Sequence, residues 1–338
     1  MQHFHSPDIF TLESGTQLPF LDISYCIYGE AESDKPVIWI CHALTANADA
    51  ATWWPGMIGK GKIFDPSTHR IICANILGSC YGSSGPFSVN PVTGKPYYHH
   101  FPVITIRDMV QAHILLRKHL GIEKIDLLVG GSMGGYQALE WAVSEPSIMR
   151  KLCLLATSAT ESAWGIAIHT AQRLAIDADP TWQDESADAG KKGMRAARAI
   201  GMLTYRNYGI MVEKQTDPDT EKTDDFKASS YILHQGDKLA NRFHVASYWL
   251  LTKAMDSHNL ARGRGGNIDE VLKSIAQPSI IISISSDHLC PPAEQEHLAG
   301  LMPHGELVSI DSMYGHDGFM VETEQISEAI SHWWIEQD

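Results

Sequence analysis

Ser132 lies in Gly130-Gly131-Ser132-Met133-Gly134, a G-x-S-x-G run. A short, branched apolar stretch at 125–129 precedes it, and a helical pattern through Tyr136, Leu139 and Trp141 to Pro146 follows. A serine between strand and helix sits on a tight elbow, where flanking glycines let neighbouring backbone approach and the hydroxyl projects from the sheet edge. The same residues could form a glycine-rich turn without chemistry; strand before and helix after favour the nucleophile. A serine hydroxyl is weakly nucleophilic near neutral pH, so it needs a base within hydrogen-bond reach and a carboxylate to orient that base. In the chain order Ser, Asp, His, the partners are Asp287, just past the apolar run 279–285, and His316, just past 306–310. A lone loop histidine is ordinarily a surface residue, and this chain has 17. Its place after the final strand, with Gly315 before it and Gly318 after, singles out His316. His288 abuts Asp287, and residues side by side on one loop rarely bridge to a serine on a third strand, so it reads as structural. The tetrahedral intermediate of acyl transfer also needs two backbone N–H donors. Met133, at the helix start, supplies one; Leu44, in the loop 41–47 after the apolar run 37–41, is the best candidate for the other, although that segment could be merely a connection.

The elements that must position these groups are legible as patterns. Runs at 37–41, 70–75 and 125–129 are short, branched-rich and bounded by turn residues, as buried strands are. Thr105 and Asp108 can cap a helix carrying Ile106, Met109, Val110 and Ile114 at helical spacing, with Gly121 as its stop. Strand, helix, strand in this order implies a mostly parallel sheet with helices on both faces. Residues 161–265 change texture to helical stretches with no convincing strand. Strand signals return at 279–285 and 306–310, before a helix near 323–335. The expected organisation is an α/β core built from 1–160 and 266–338, with a helical lid at 161–265.

Composition bounds the partners. The 338 residues are 44% hydrophobic and 20% charged, enough apolar surface to exclude a disordered chain. Lys+Arg number 26 against 40 Asp+Glu, a formal charge of −14 that would repel a phosphate backbone, so nucleic acid is not expected. Cysteines at 26, 41, 73, 80, 153 and 290 are scattered without C-x-x-C, reading as reduced thiols rather than a disulfide framework or zinc knuckle. No secretory n-region and no long apolar window is present, so a cytoplasmic protein without membrane attachment is expected. His99-His100 lacks a third ligand at metal spacing, and no metal site is expected. Arg262-Gly263-Arg264-Gly265-Gly266 occurs once in an acidic chain and reads as a structural turn after the lid, with coenzyme phosphates the other option. Trp333-Trp334 reads as packing of the last helix.

Motifs along nearly the whole chain resemble the homoserine O-acetyltransferase family of the α/β-hydrolase superfamily. They are His42-Ala43-Leu44-Thr45; Asn75-Ile76-Leu77-Gly78-Ser79-Cys80 with Gly85-Pro86; Thr105-Ile106-Arg107-Asp108-Met109-Val110; and the elbow continuing through Gln137-Ala138-Leu139-Glu140-Trp141. Further matches are Gln235-Gly236-Asp237-Lys238, Arg242-Phe243, Leu251-Thr252-Lys253-Ala254-Met255-Asp256, the Arg262–Gly266 turn and Gly315-His316-Asp317. The resemblance implies an α/β-hydrolase fold and ping-pong acyl transfer, in which acetyl-CoA acylates Ser132, coenzyme A leaves, and L-homoserine takes the acetyl group in methionine biosynthesis. Acetyl-CoA is then a co-substrate, with no permanently bound cofactor. In the family the amino acid is gripped by a lid arginine, a tyrosine and the aspartate after the catalytic histidine, which fall on Arg198, Tyr205 and Asp317. It also implies a homodimer joined through the lid helices. Relatives that acylate serine or use succinyl-CoA leave those options open, as does an esterase or thioesterase with the same triad, or a relative that only binds. Ser79, Ala46-Asn47, His244 and Ala246 depart from the family pattern, which has glycine at the first two sites, aspartate at 244 and asparagine at 246.

Overall fold

The computed structural model describes residues 1–30 and 34–336. Among the described residues ten strands form in chain order: β1 (Gln2–Ser6), β2 (Phe10–Thr11), β3 (Gln17–Leu18), β4 (Leu21–Tyr28), β5 (Val37–Cys41), β6 (Arg70–Ala74), β7 (Ile125–Gly131), β8 (Met149–Leu155), β9 (Ser279–Ile284) and β10 (Gly305–Ile310). β2 and β3 pair separately; the other eight make one sheet in the order β1-β4-β6-β5-β7-β8-β9-β10. From β6 to β10 every pairing is parallel, while β1 and β4 add an antiparallel edge. The fold class read from the sequence is thus the one observed. β1, β4 and β8 were not among the expected strands. In β4 Leu21, Ile23, Tyr25 and Ile27 alternate with Asp22, Ser24, Cys26 and Tyr28, the pattern of an antiparallel strand, whereas the buried parallel runs are nearly continuous in apolar residues.

Helices comprise α1 (Ala50–Trp53), α2 (Ile106–His119), α3 (Met133–Ser144), α4 (Ala163–Asp177), α5 (Lys191–Tyr205), α6 (Tyr208–Gln215), α7 (Lys227–Ala240), α8 (Val245–Asp256), α9 (Ile268–Lys273), α10 (Pro292–Leu301), α11 (Gly318–Val321) and α12 (Thr323–Glu336). The capping box that starts α2 is present: Thr105 N donates to Asp108 Oδ2 at 2.8 Å, and Asp108 N to Thr105 Oγ1 at 3.2 Å. The period-2 alternation of the strands divides the interior into two cores. Trp39, Leu128, Leu152 and Ile281 face a layer with Met109, Leu139 and Leu298, whereas Ile38, Ile40, Val129 and Ile282 face Ile326, Ile330 and Trp333 of α12. Trp333 is buried, as expected of the last helix. The helices α4 to α8 run consecutively between β8 and β9 and form the cover over the carboxyl ends of the strands. Among the described residues no helix is long and apolar enough to cross a membrane, and all six cysteines are free thiols.

The Arg262–Gly266 turn proves to be a clamp. Arg262 Nη2 donates to Glu13 Oε2 at 2.8 Å and Arg264 Nη1 to Glu140 Oε2 at 2.8 Å, while Arg107 bridges the two carboxylates at 2.7 and 2.9 Å. Burial alone would raise Glu140, but Arg264 and Arg107 hold its carboxyl below the usual range. The turn's cations are therefore committed to protein carboxylates, which ties the exit of the lid to α2, α3 and the amino-terminal segment.

Three core imidazoles are kept neutral. Burial lowers His42 to about 4, His258 to about 4, and His113, beside His42 and between Trp39 and Trp141, to about 3. Each takes up a proton near 6.5 when unfolded and far lower when folded, so its contribution is complete above 6.5 and is lost as pH falls toward the folded value. Acidification from pH 7 to 5 should lower Tm, and His113→Phe should lower it less over the same interval. Thermal scans of both proteins at matched ionic strength check this; equal slopes would contradict it.

Candidate active site

The site begins with the backbone of Ser132, which has φ 54° and ψ −127° at the junction of β7 and α3. A non-glycine residue there is strained by about 1–3 kcal/mol and persists only where its surroundings over-determine it. They do so here: Ser132 N donates to Leu155 O at 2.9 Å, and Thr157 Oγ1 donates to Ser132 O at 2.9 Å. A Cβ on Gly134 would collide with the carbonyl of Cys41, and one on Gly130 with the carbonyl of Gly134. Only glycine lets α3 start so close to β5 and β7, where Cys41 lies opposite Gly130.

Asp287 follows β9 and His316 follows β10, so the three residues are brought together across the carboxyl edge of neighbouring strands. His316 Nε2 lies 2.8 Å from Ser132 Oγ, and His316 Nδ1 lies 2.7 Å from Asp287 Oδ2. Asp287 is buried, and its Oδ1 accepts from the backbone N–H groups of Leu289 at 2.8 Å and Cys290 at 3.0 Å. Those bonds fix which oxygen faces the imidazole. Burial by itself would lower His316, but the charge and hydrogen bond of Asp287 outweigh it and raise its pKa above 6.5. Hydroxyl, imidazole and carboxylate thus form one hydrogen-bonded line, the arrangement that nucleophilic acyl transfer requires. His288 stays outside it: its carbonyl accepts from Trp164 Nε1 of α4 at 2.9 Å, docking the lid.

Met133 is the first residue of α3, and Leu44 is buried in the loop after β5. Among the described residues no acceptor meets the backbone N–H of either one. His42, a motif residue to which the sequence assigned no task, explains how Leu44 is held. Its Nδ1 donates to Ala43 O at 2.9 Å, and its Nε2 accepts from Ile76 N at 3.3 Å. Ala43 C=O and Leu44 N–H belong to one planar peptide, so pinning the carbonyl aims the N–H the opposite way. Gln137 Nε2 adds a bond to His42 O at 3.1 Å. No residue of this loop has positive φ, so nothing in its backbone requires glycine at Ala46 or Asn47; Ser79 likewise has ordinary backbone.

A cavity of about 470 Å³ opens above Ser132 and His316 beneath the lid. Arg198 and Tyr205, both on α5, line it, as does Asp317. The Arg198 guanidinium lies 5.1 Å from the Tyr205 ring centroid, and that ring lies 6.0 Å from His316. Among the described residues no carboxylate pairs with Arg198, and its Nε is buried without a partner. Asp317 is different: Arg206 Nη2 sits 3.2 Å from its Oδ2, a contact the sequence did not disclose. Gly315, with φ 66°, lets the backbone of Tyr205 and Asn207 abut the His316 loop, since a Cβ there would lie 2.8 Å from both. The end of α5 and the His316 loop are thus in direct contact. His244, the position at which the resemblance leads one to expect aspartate, takes the N-cap position of α8 without a side-chain cap bond and instead stacks on Phe87 at 3.8 Å between centroids. A lost cap costs about 1 kcal/mol and an aromatic pair returns a similar amount. Ala246 is half-buried in α8, and nothing in the structure explains its departure. His99 and His100 face each other at 4.1 Å between centroids, beside Trp182, and form no metal cluster among the described residues.

The family model for the α/β-hydrolase fold matches residues 36–323. A homoserine O-acetyltransferase of Cyclobacterium marinum is 45% identical over 336 residues, covering 99% of this chain and 95% of the relative. Another, from Chlorobaculum parvum, is 47% identical over 330 residues, covering 96% and 92%. Among solved structures, the homoserine O-acetyltransferase of Bacillus anthracis superposes with a TM-score of 0.90 at 23% identity, covering 98% of this chain and 96% of that one, a likeness that speaks for the fold alone. The chain belongs to the homoserine O-acetyltransferase family of the α/β-hydrolase fold.

Proposed function

We propose that this protein transfers an acetyl group from acetyl-CoA to the hydroxyl of L-homoserine through an acetyl-Ser132 intermediate. The observation that carries the reading is one cavity lined both by Ser132 and His316, which Asp287 backs through a hydrogen bond, and by Arg198, a guanidinium with no carboxylate partner among the described residues. His316 Nε2 takes the Ser132 proton as Oγ attacks the thioester carbonyl. The N–H groups of Leu44 and Met133 receive the oxyanion. Collapse expels the coenzyme A thiolate, which leaves with the proton from His316. The homoserine hydroxyl then gives its proton to the same imidazole and attacks the acetyl carbonyl, and Ser132 leaves reprotonated. Asp287 holds the imidazole in the tautomer both halves need and stabilises its charged form.

An amino acid presents one carboxylate and one ammonium. Arg198 suits the first, with Tyr205 beside it; Asp317, held in place by Arg206, suits the second. An esterase would need the triad and oxyanion donors but no guanidinium without a carboxylate partner among the described residues in the same cavity, which favours the transferase. Acetyl-CoA enters as a co-substrate and no permanently bound cofactor is required. Exposed Leu174, Leu203 and Leu233 on α4, α5 and α7, each at least 59% accessible, support association of two chains through the lid.

Ser132→Ala should abolish the acetyl adduct seen by intact mass after mixing with acetyl-CoA and lower kcat by several orders of magnitude. An adduct persisting in that variant would remove Ser132 as nucleophile. Arg198→Ala should raise the KM for homoserine by about 10- to 100-fold, the equivalent of one lost charge-assisted hydrogen bond, and leave acylation by acetyl-CoA nearly unchanged. Equal loss in both half-reactions would make Arg198 structural. Light scattering on eluted protein should give twice the mass of one chain, reduced toward one by Leu203→Glu; a single-chain mass for the unmodified protein would contradict the dimer.

A further inference from the structure

We propose that Arg242, in the turn between α7 and α8, is a positioning residue that lets the lid hold the oxyanion loop. Its guanidinium lies at the cavity wall together with Leu44, Thr45 and Tyr81. Nη1 donates to the carbonyl of Thr45 at 2.7 Å and to Tyr81 Oη at 2.9 Å, and Nη2 donates to Thr45 Oγ1 at 3.3 Å. Tyr81 Oη in turn donates to the Arg242 carbonyl at 3.1 Å, and the Tyr81 ring meets Phe243 edge-on at 5.6 Å.

Two features make this more than a surface contact. First, the cation is spent on neutral oxygens: among the described residues no carboxylate pairs with Arg242. An exposed arginine gives up rotamer freedom to be held so, and its planar fork, bridging both oxygens of one residue, defines the position of that residue in a way a point charge would not. Second, the loop has anchors on two sides. From the core, His42 pins the Ala43 carbonyl and Gln137 pins His42. Past Leu44, Ala46 N closes a turn onto Ala43 O at 3.1 Å, and Thr45, within that turn, is held from outside by Arg242. The Leu44 N–H therefore lies between a core anchor and a lid anchor. Moving the lid turn moves the second one.

The inference rests on the reading of Leu44 as an oxyanion donor, and the test separates the two. The probe is p-nitrophenyl acetate, an acyl donor without phosphates, so that any attraction between Arg242 and a coenzyme does not enter. Pre-steady-state release of p-nitrophenolate gives the acylation rate, and intact mass reports the Ser132 adduct. Arg242→Gln should slow acylation about tenfold at unchanged KM, less than the ~100-fold or greater loss seen when an oxyanion donor is removed outright. Arg242→Lys, which keeps one of the three bonds, should recover part of the rate. Tyr81→Phe, with the arginine retained but its phenol support removed, should slow acylation by a smaller factor and carries the test should Arg242→Gln fail to fold. Variants acylated as fast as the unmodified protein, or slowed only through KM, would overturn the inference and leave the site reading standing. An unmodified protein that forms no Ser132 adduct would overturn both.

Discussion

The structure depends on a strained peptide at the end of its central parallel strand. Ser132 has positive φ without being glycine, and everything the site does follows from holding it there. The strain lifts Oγ clear of the sheet toward His316 and leaves the Met133 N–H unused at the start of α3. It is sustained by pairing on both sides of β7, by the bond to Leu155 on β8, and by glycines that admit backbone contacts no other residue would allow. A serine on a flexible loop would have no such fixed relation to an imidazole delivered from β10 and a carboxylate delivered from β9. The parallel sheet supplies that relation because its strand ends lie side by side on one edge.

Charge placement supports the same account. The chain is strongly acidic overall, yet Arg198, Lys238 and Arg242 line the cavity above the serine. Cations elsewhere in the turn after the lid are matched to Glu13 and Glu140. The contrast between committed and uncommitted guanidinium groups separates structural arginines from one suited to a ligand. Asp317 shows a third arrangement, a cavity-wall carboxylate oriented by Arg206.

Much of this was legible in the sequence, because the informative signals are local. The elbow reads from five consecutive residues between a strand and a helix, and Asp287 and His316 read from their places just after strand runs. The capping box at Thr105 and Asp108 is local too, and it is present. The contacts that were not legible join residues far apart in the chain. Arg206 with Asp317, His42 with the backbone of Ile76, and the five-residue clamp of Glu13, Arg107, Glu140, Arg262 and Arg264 depend on tertiary packing with no spacing signature. β8 went unnoticed for a different reason: Met149-Arg150-Lys151 opens it with charge at the solvated end, and only its second half is fully apolar. His244 illustrates the limit of motif comparison, since a departure from the family pattern is answered by Phe87, a residue outside the motif.

The most direct test of the account is the rate of coenzyme A thiol release from acetyl-CoA, measured alone, with L-homoserine and with L-serine, and repeated with succinyl-CoA. Sustained release from acetyl-CoA is expected only when homoserine is present, with at most one equivalent per site released in its absence. Sustained release without any amino acid would contradict it and make the protein a hydrolase built on the same fold.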